Sequence, residues 1–332
     1  MKRHGAALAA GSALFFALTA RLAAQTAAED DAQPSEAILP PADGSEADAA
    51  TSLAGPTVDS VAAPAFATVD NTAPMLAANT DLVTWLAAIP IILPLIGAAV
   101  TLTFRKNEGL QSWTTLICLA LASLSAVGLN AIVATQGPLV MAMGNWMPPF
   151  GIVIAVDALS AILVLVTCLV GLVGVSYARG DVGTEGTRFG FYTFYLLLIC
   201  GVCGAFSTGD IFNLYVWFEV FLISSFGLIV FGGTRIQLDG AVKYGVLNFI
   251  ATTTFLIAVG ALYGMTGTLN MADIRGALAV AETGPVITIG ALFVFAFAMK
   301  AAAFPLHFWL PASYHTPKVI VAALFAGLLT KV

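Results

Sequence analysis

The chain has 332 residues, of which 59% are hydrophobic and 10% are charged, and its formal net charge at pH 7 is −6. Because soluble domains carry about 25% charged residues, this composition excludes an ordinary water-soluble fold and predicts a protein that crosses the lipid bilayer several times. The sequence contains no basic face interleaved with aromatic residues, so we expect no binding to nucleic acid.

The first 80 residues differ in composition from the rest of the chain. Residues 1–28 resemble a secretory signal, with Lys2 and Arg3 before an apolar run and small residues after it. An uncleaved signal anchor is the alternative interpretation. Residues 29–80 are rich in Ala, Asp, Pro, Ser and Thr and lack apolar periodicity, so they predict a disordered acidic linker. The predicted membrane domain therefore covers residues 81–332.

Eight apolar stretches in that domain predict an all-α, polytopic bundle of transmembrane helices, since about 20 helical residues cross the ~30 Å hydrocarbon core. The predicted helices cover residues 82–104, 112–134, 158–178, 189–207, 211–231, 243–265, 286–303 and 318 onward. Asp157 and Asp210 directly precede two of these helices, which is typical of N-cap residues.

The loops between the predicted helices are asymmetric in positive charge. If the first helix enters from the outside, the inner loops hold Arg105, Lys106, Arg179, Arg188, Arg235 and Lys318, whereas the outer loops hold Arg275. This distribution agrees with the positive-inside rule. It predicts that the acidic linker lies on the outer face, and the signal-like N-terminus predicts the same orientation.

The sequence offers no site for a cofactor or a metal ion. The four cysteines lie inside apolar runs, and the C-x-x-C pair of Cys200 and Cys203 has no second pair of ligands. We interpret these cysteines as small buried side chains. No phosphate-binding glycine motif and no nucleophile–His–acid arrangement is present.

The segment from Phe304 to Lys318 follows the seventh predicted helix and contains Pro305, Pro311 and Pro317. Each proline removes a backbone donor and obstructs a continuing helix, so this segment predicts a break. Unsatisfied backbone is very unfavourable in lipid. The break must therefore pack against protein, line a wet cavity, or lie at the inner surface.

Ionisable residues recur near the middle of the later helices. Glu219 lies near the centre of the fifth, where a charge costs about 2.5–3.5 kcal/mol to insert. Lys300 lies in the seventh, and Lys331 about 13 residues into the eighth. A buried acid and a buried amine can exchange protons near neutral pH, because desolvation opposes both charges while their attraction favours them. The alternatives are a packing role for Glu219 and snorkelling of Lys300 to the inner surface.

Two further residues are weaker candidates for the same chemistry. Lys243 stands at the start of the sixth predicted helix and is either a proton-relay residue or an ordinary interfacial lysine. His307 follows Lys300 by seven residues and would share its helical face if the helix continued. It would then relay protons toward the inner side. Packing within the loop is the alternative for His307.

Ordered motifs on successive helices resemble a known family, namely the antiporter-like membrane subunits shared by Mrp-type Na⁺/H⁺ antiporters and respiratory complex I. The matching segments include IFNLYVWFEVFLISSFGLIVF, AVKYGVLN, LYGMTGTLNMADI, MKAAAFPLHFWLP and ALFAGLLTKV. The resemblance covers about residues 82–332 and is strongest to the D-type branch of the Mrp antiporter subunits. It implies that Glu219, Lys300 and Lys331 correspond to the family's proton-transfer axis, with Lys243 and His307 at neighbouring family positions.

The resemblance implies a function as well as a fold. We expect a non-enzymatic subunit of a hetero-oligomeric monovalent cation/proton antiporter, working with other Mrp subunits on H⁺ and Na⁺ or K⁺ in the bacterial inner membrane. A proton-pumping subunit of a complex I-like oxidoreductase or a membrane hydrogenase is the first alternative, and a non-conducting structural subunit is the second. Family members contain two inverted repeats in about 14 helices, so we expect about eight of them here and no transport by this chain alone.

Overall fold

The computed structural model of the chain describes residues 83–146 and 148–332. The predictions for residues 1–28 and 29–80 lie outside these residues. Within them the chain forms a polytopic bundle of helices, which confirms the predicted fold class.

Helices account for most of the described residues, and one short hairpin interrupts them. The helices are α1 (Ile89–Thr103), α2 (Glu108–Gln136), α3 (Ala158–Asp181), α4 (Gly183–Arg188), α5 (Phe191–Ser207), α6 (Ile211–Ile229), α7 (Arg235–Thr266), α8 (Met271–Leu278), α9 (Thr283–Lys300), α10 (Trp309–Tyr314) and α11 (Val319–Leu324). A π-helical turn, Phe325–Leu329, continues α11. Strands β1 (Leu139–Ala142) and β2 (Val153–Val156) pair in antiparallel register.

The eight predicted spans correspond to α1, α2, α3, α5, α6, α7, α9 and α11 in the described part of the chain. Five of them, α2, α3, α6, α7 and α9, are long and apolar enough to cross a membrane, and the other three are shorter apolar helices. The start of the sixth span was predicted wrongly, because α7 begins at Arg235 rather than at residue 243. Thr234 and Gln237 form a capping box there, which satisfies free backbone donors and lengthens the helix.

Backbone contacts of residues 208–210, together called the clasp, join three elements at one end of the bundle. Residues 208–210, between α5 and α6, form isolated bridges to β2 and to the loop before α8, pairing Ile154 with Thr208 and Asp210 with Asn270. The Gly209 amide donates to the Val153 carbonyl at 2.8 Å, and a Cβ at Gly209 would lie 3.1 Å from Ala155. A glycine therefore allows this close approach.

The basic loops meet at the opposite ends of the same helices. Arg105, after α1, donates to the backbone carbonyl of Arg188 at 3.3 Å. Lys318, before α11, donates to the carbonyl of Asp181 at 2.8 Å. The residues that the sequence assigned to inner loops thus lie at one end of the bundle, as a regular alternation of helix direction requires.

Helix α5 forms the centre of the core, since 14 of its 17 residues are buried. A helix that is apolar on every side is expected to be surrounded by other helices. Glycines allow α6 to approach it closely: a Cβ at Gly201 would lie 2.9 Å from Phe221, and one at Gly204 would overlap the ring of Trp217. This contact fixes the rotation of α6 about its axis, and hence the direction in which Glu219 and its neighbours point.

Candidate functional site

Helix α6 begins at the clasp and carries Glu219 at mid-length. Asp210 caps the helix as predicted, accepting a hydrogen bond from the Asn213 amide at 2.8 Å, and burial raises the pKa of Asp210. Glu219 lies two and a half turns further along and is partly buried. Its Oε1 atom is buried and has no hydrogen-bond partner among the described residues. The carboxyl group is therefore poorly solvated and unsatisfied on one side.

Lys300 is the last residue of α9, and its side chain turns into the protein. The Nζ atom is buried and has no hydrogen-bond partner within the described part of the chain. It lies 4.7 Å from the ring centroid of Phe218 and 5.7 Å from that of Phe221. Both phenylalanines belong to the middle of α6, so Lys300 reaches the central depth of the fifth span. In this structure the ammonium group does not snorkel.

Helix α9 stops three residues before its predicted end, because the chain forms a helix cap after Lys300. Ala302 has a φ of 54°, and the Ala303 amide donates to the Ala298 carbonyl while the Ala302 amide donates to Met299. These two bonds with a left-handed residue between them form a Schellman cap. The indole of Trp309 also donates to the Met299 carbonyl, at 2.8 Å.

The proline-broken segment packs against α7. Trp309 is 1% exposed and contacts the ring of Tyr244 edge-on, with centroids 5.5 Å apart. Of the three environments predicted for the break, the structure therefore supports packing against protein. His307 lies in this segment, stacked on Phe308 at 5.0 Å, and its Nδ1 atom is buried without a partner among the described residues. Because α9 ends at Lys300, His307 does not share a helical face with that lysine.

One cavity brings Lys300 and Lys331 together. It has a volume of about 250 Å³ and is lined by Phe218, Phe221, Phe297, Lys300, Ala301, Leu329, Thr330, Lys331 and Val332. The Lys331 ammonium donates to the Thr330 hydroxyl at 2.8 Å and is exposed. Lys300, at the end of α9, and Lys331, just after the π-helical turn, therefore line the same cavity.

Glu219 interacts electrostatically with Lys300 without forming an ion pair. The carboxylate is near enough to influence the charge on the lysine. Among the described residues, however, the ion pair within 4.0 Å is that of Lys243 with Asp239, at 2.6 Å. The Glu219 carboxylate and the Lys300 ammonium group are therefore more than 4.0 Å apart.

Lys243 lies apart from these groups. It is the ninth residue of α7 rather than its first, and its side chain is 55% exposed and paired with Asp239 one turn earlier. It does not line the cavity of Lys300 and Lys331. The geometry matches the interfacial-lysine interpretation more closely than the relay interpretation.

Two buried hydroxyl contacts near the site were not predicted. Ser225 of α6 and Tyr244 of α7 are hydrogen bonded at 2.6 Å, and both are fully buried. Tyr314 donates to the Phe325 carbonyl in the π-helical turn at 2.9 Å. A buried serine in an apolar run requires a hydrogen-bond partner, but the Ser225 hydroxyl also donates to the Leu222 carbonyl of its own helix, so the sequence did not indicate the contact with Tyr244.

Comparison with known proteins places these features in a family. The family described as NADH:quinone oxidoreductase/Mrp antiporter, TM, matches residues 208–332, which include Glu219, Lys300 and Lys331. The chain is 42% identical over 245 residues to the D subunit of the Na⁺/H⁺ antiporter of Bacillus subtilis, covering 74% of this chain and 50% of the relative. It is 37% identical over 265 residues to the D subunit of a probable K⁺/H⁺ antiporter of Rhizobium meliloti, covering 76% and 48%.

Two solved structures share the fold of this chain. The fold matches a chain of the Mrp complex from Dietzia sp. with a TM-score of 0.70 and 31% identity, covering 75% of this chain and 47% of that one. It matches a chain of an archaeal membrane-bound sulfane sulfur reductase with a TM-score of 0.71 and 31% identity, covering 74% and 50%. The chain thus spans about half the length of the curated relatives it matches. Residues 208–332 belong to the NADH:quinone oxidoreductase/Mrp antiporter transmembrane family, and the chain is similar to D subunits of antiporters over about three quarters of its length.

Proposed function

We propose that this chain is a proton-carrying subunit of a hetero-oligomeric antiporter that exchanges H⁺ for Na⁺ or K⁺ across the bacterial inner membrane, together with other Mrp-type subunits. The observation that carries the proposal is the buried, unpaired ammonium of Lys300, which shares one cavity with Lys331 and interacts electrostatically with Glu219. Ionisable groups at such depth are costly, and they mark ion pathways in membrane proteins. The choice of cation/proton exchange as the function comes from the relatives that are named as D subunits of antiporters.

Each residue has a defined task in this mechanism. Lys300 holds a proton at Nζ, and Glu219 stabilises that charge from α6 without capturing it in a fixed ion pair. When Glu219 gains a proton, the charge on Lys300 loses this stabilisation, and its proton moves across the cavity to Lys331. A cavity of about 250 Å³ is large enough for a short chain of water molecules between the two amines.

Lys243 and His307 take peripheral places in the proposed relay. His307 carries an unpartnered Nδ1 atom in the broken segment beyond Lys300, on the way to the basic end of the bundle. A neutral imidazole can accept and pass on a proton near physiological pH. Lys243 is ion-paired at the surface, so any role in proton entry begins with loss of its contact to Asp239.

The test compares Glu219→Gln and Lys300→Ala in the assembled complex, in everted membrane vesicles that report cation-driven collapse of a pH gradient. We expect each variant to lose exchange by at least about tenfold, because groups that transfer protons contribute about 10²–10⁴ to rate. Glutamine retains the size and shape of glutamate and can still form hydrogen bonds, but it cannot take up or release a proton. Glu282→Gln is the matched control, since Glu282 is exposed at the start of α9 and makes no side-chain capping bond.

The outcome separates three functions. Normal exchange in either variant, with normal assembly, contradicts the relay and favours a structural role for the buried charges. A second candidate function is favoured by the match to the sulfane sulfur reductase, a respiratory membrane complex. In that case the vesicles generate a pH gradient on addition of an electron donor and show no response to Na⁺ or K⁺.

A further inference from the structure

The environment of the Lys300 ammonium is aromatic rather than polar. The Nζ atom has no hydrogen-bond partner among the described residues, and it lies over the rings of Phe218 and Phe221, at 4.7 and 5.7 Å from their centroids. Both distances lie within the ~6 Å at which a cation is attracted to the face of a ring. A buried cation that lacks conventional partners must obtain its stabilisation from such contacts or from charges at longer range.

The two rings are held in place by the surrounding core. They are 1% and 3% exposed and meet edge to face, with centroids 5.4 Å apart and planes at 78°. Phe218 also contacts Phe255 of α7 at 5.4 Å and Phe297 of α9 at 6.4 Å. Packing on this scale restricts ring movement, so the faces presented to Lys300 are a fixed property of the site.

The rings of Phe218 and Phe221 and the carboxyl group of Glu219 belong to the same part of α6. Residues three positions apart lie on one face of a helix, so Phe218 and Phe221 are adjacent, whereas Glu219 projects from a different direction of the same turn. The charged and titratable groups around Lys300 are then Glu219 on α6 and Lys331 across the cavity, with Tyr215 beside Glu219. From α7, the ring of Phe255 packs against this cluster, while the charged residues of that helix lie in its first turns.

We propose that Phe218 and Phe221 are positioning residues for Lys300, whose rings bind the protonated amine and release the neutral one. The ring quadrupole attracts an ammonium group strongly in a dry site, whereas a neutral amine gains only weak dispersion contacts. The protonated side chain is therefore kept against α6, near Glu219. Once its proton has moved to Lys331, the neutral side chain is no longer held against the rings. The rings thereby set the pH range over which Lys300 carries a proton. This inference rests on the proposed relay function.

The experiment replaces Phe218 by phenylalanines with one, two and three ring fluorines in the assembled complex. Each fluorine weakens the negative face of the ring with little change in its size. We expect the alkaline limit of cation/proton exchange to move to lower pH at each step, by about 0.5–1.5 pH units over the series. The same substitutions at Phe221, whose ring is more distant, should give a smaller shift.

Phe255 provides the matched control. It is fully buried in the same ring cluster, but the cation contacts recorded for Lys300 are to Phe218 and Phe221. Fluorination there should leave the pH profile unchanged, and thermal unfolding should be similar for all the fluorinated proteins. A flat series at Phe218 while Lys300→Ala still abolishes exchange overturns the role of the rings and leaves the relay intact. Normal exchange by Lys300→Ala instead overturns the proposed function, and with it this inference.

Discussion

Ala302 combines a left-handed backbone with a side chain that disfavours it. Its φ of 54° allows the Schellman cap that ends α9 immediately after Lys300. For a residue with a Cβ this conformation costs about 1–2 kcal/mol. Glycine, the usual residue at such a cap, would remove that cost. The position therefore holds strain next to the residue on which the proposed relay depends.

The substitution Ala302→Gly should stabilise the protein by about 0.5–1 kcal/mol, because relief of ~1–2 kcal/mol of strain exceeds the entropic cost of glycine, ~0.5–1 kcal/mol. Thermal unfolding of the purified protein in detergent measures the effect. Ala301→Gly is the control: Ala301 has a right-handed conformation, with φ of −75°, so glycine there brings only the entropic cost. Equal destabilisation by both substitutions would contradict the assignment of strain.

At the scale of the helix, the broken segment acts as a bracket that fixes the end of α9. Trp309 connects two elements, since its indole donates to Met299 of α9 and its ring packs against Tyr244 of α7. Lys300 follows Met299 directly. Any loosening of this bracket would therefore be transmitted to the lysine through one peptide unit.

We expect Trp309→Phe to destabilise the protein by about 2–4 kcal/mol. The change removes a hydrogen bond worth about 1 kcal/mol and leaves part of a large buried side-chain volume empty. The shift in unfolding temperature in detergent is the measurement. Trp85→Phe serves as the control, because Trp85 is 46% exposed. If both variants unfold at the temperature of the parent protein, the bracket contributes nothing to stability.

The sequence predicted the spans well because their length and apolarity are set by the bilayer, whereas their ends depend on local caps. The capping box of Thr234 and Gln237 extends α7 beyond its apolar part, and the cap at Ala302 shortens α9 without a glycine or proline at that position. The hairpin of β1 and β2 was missed because each strand has only four residues and owes its conformation to pairing.

The candidate site was likewise predictable only in part. Glu219, Lys300 and Lys331 are recognisable in the sequence, because a charge inside an apolar run is costly wherever the helices pack. The contact between Lys300 and Phe218 is not recognisable, since it depends on the rotation of α6 against α5 and on the position at which α9 ends. Lys243 shows the limit of the charge criterion, because an unexpected extra length of α7 lets it pair with Asp239 at the surface.

At the scale of the whole described bundle, the two ends differ in chemistry. The loops that carry Arg105, Arg188 and Lys318 are tied together at one end by bonds to backbone carbonyls. The clasp around Gly209, which contains the acidic residue Asp210, lies at the other end. The positive-inside rule predicts that the basic end faces the cytoplasm.

This orientation predicts the accessibility of single cysteines to a maleimide that cannot cross membranes. Arg275→Cys should be labelled in intact cells, whereas Lys106→Cys should be labelled only after permeabilisation; both positions are exposed in the structure. The unsubstituted protein gives the background, which should be low because Cys168, Cys200 and Cys203 are fully buried and Cys118 is partly buried against the core. The reverse labelling pattern would mean that the bundle is inserted with its basic end outward.

The termination of α9 within the bundle has an electrostatic consequence for its last residue. The aligned peptide dipoles of a helix place about half a unit of negative charge at its C-terminus. Because Lys300 is the terminal residue of α9, this partial charge lies beside its backbone in surroundings of low polarisability, where screening is weak. The main chain thus provides a permanent counter-charge that no side-chain substitution can delete, in addition to the carboxyl group of Glu219.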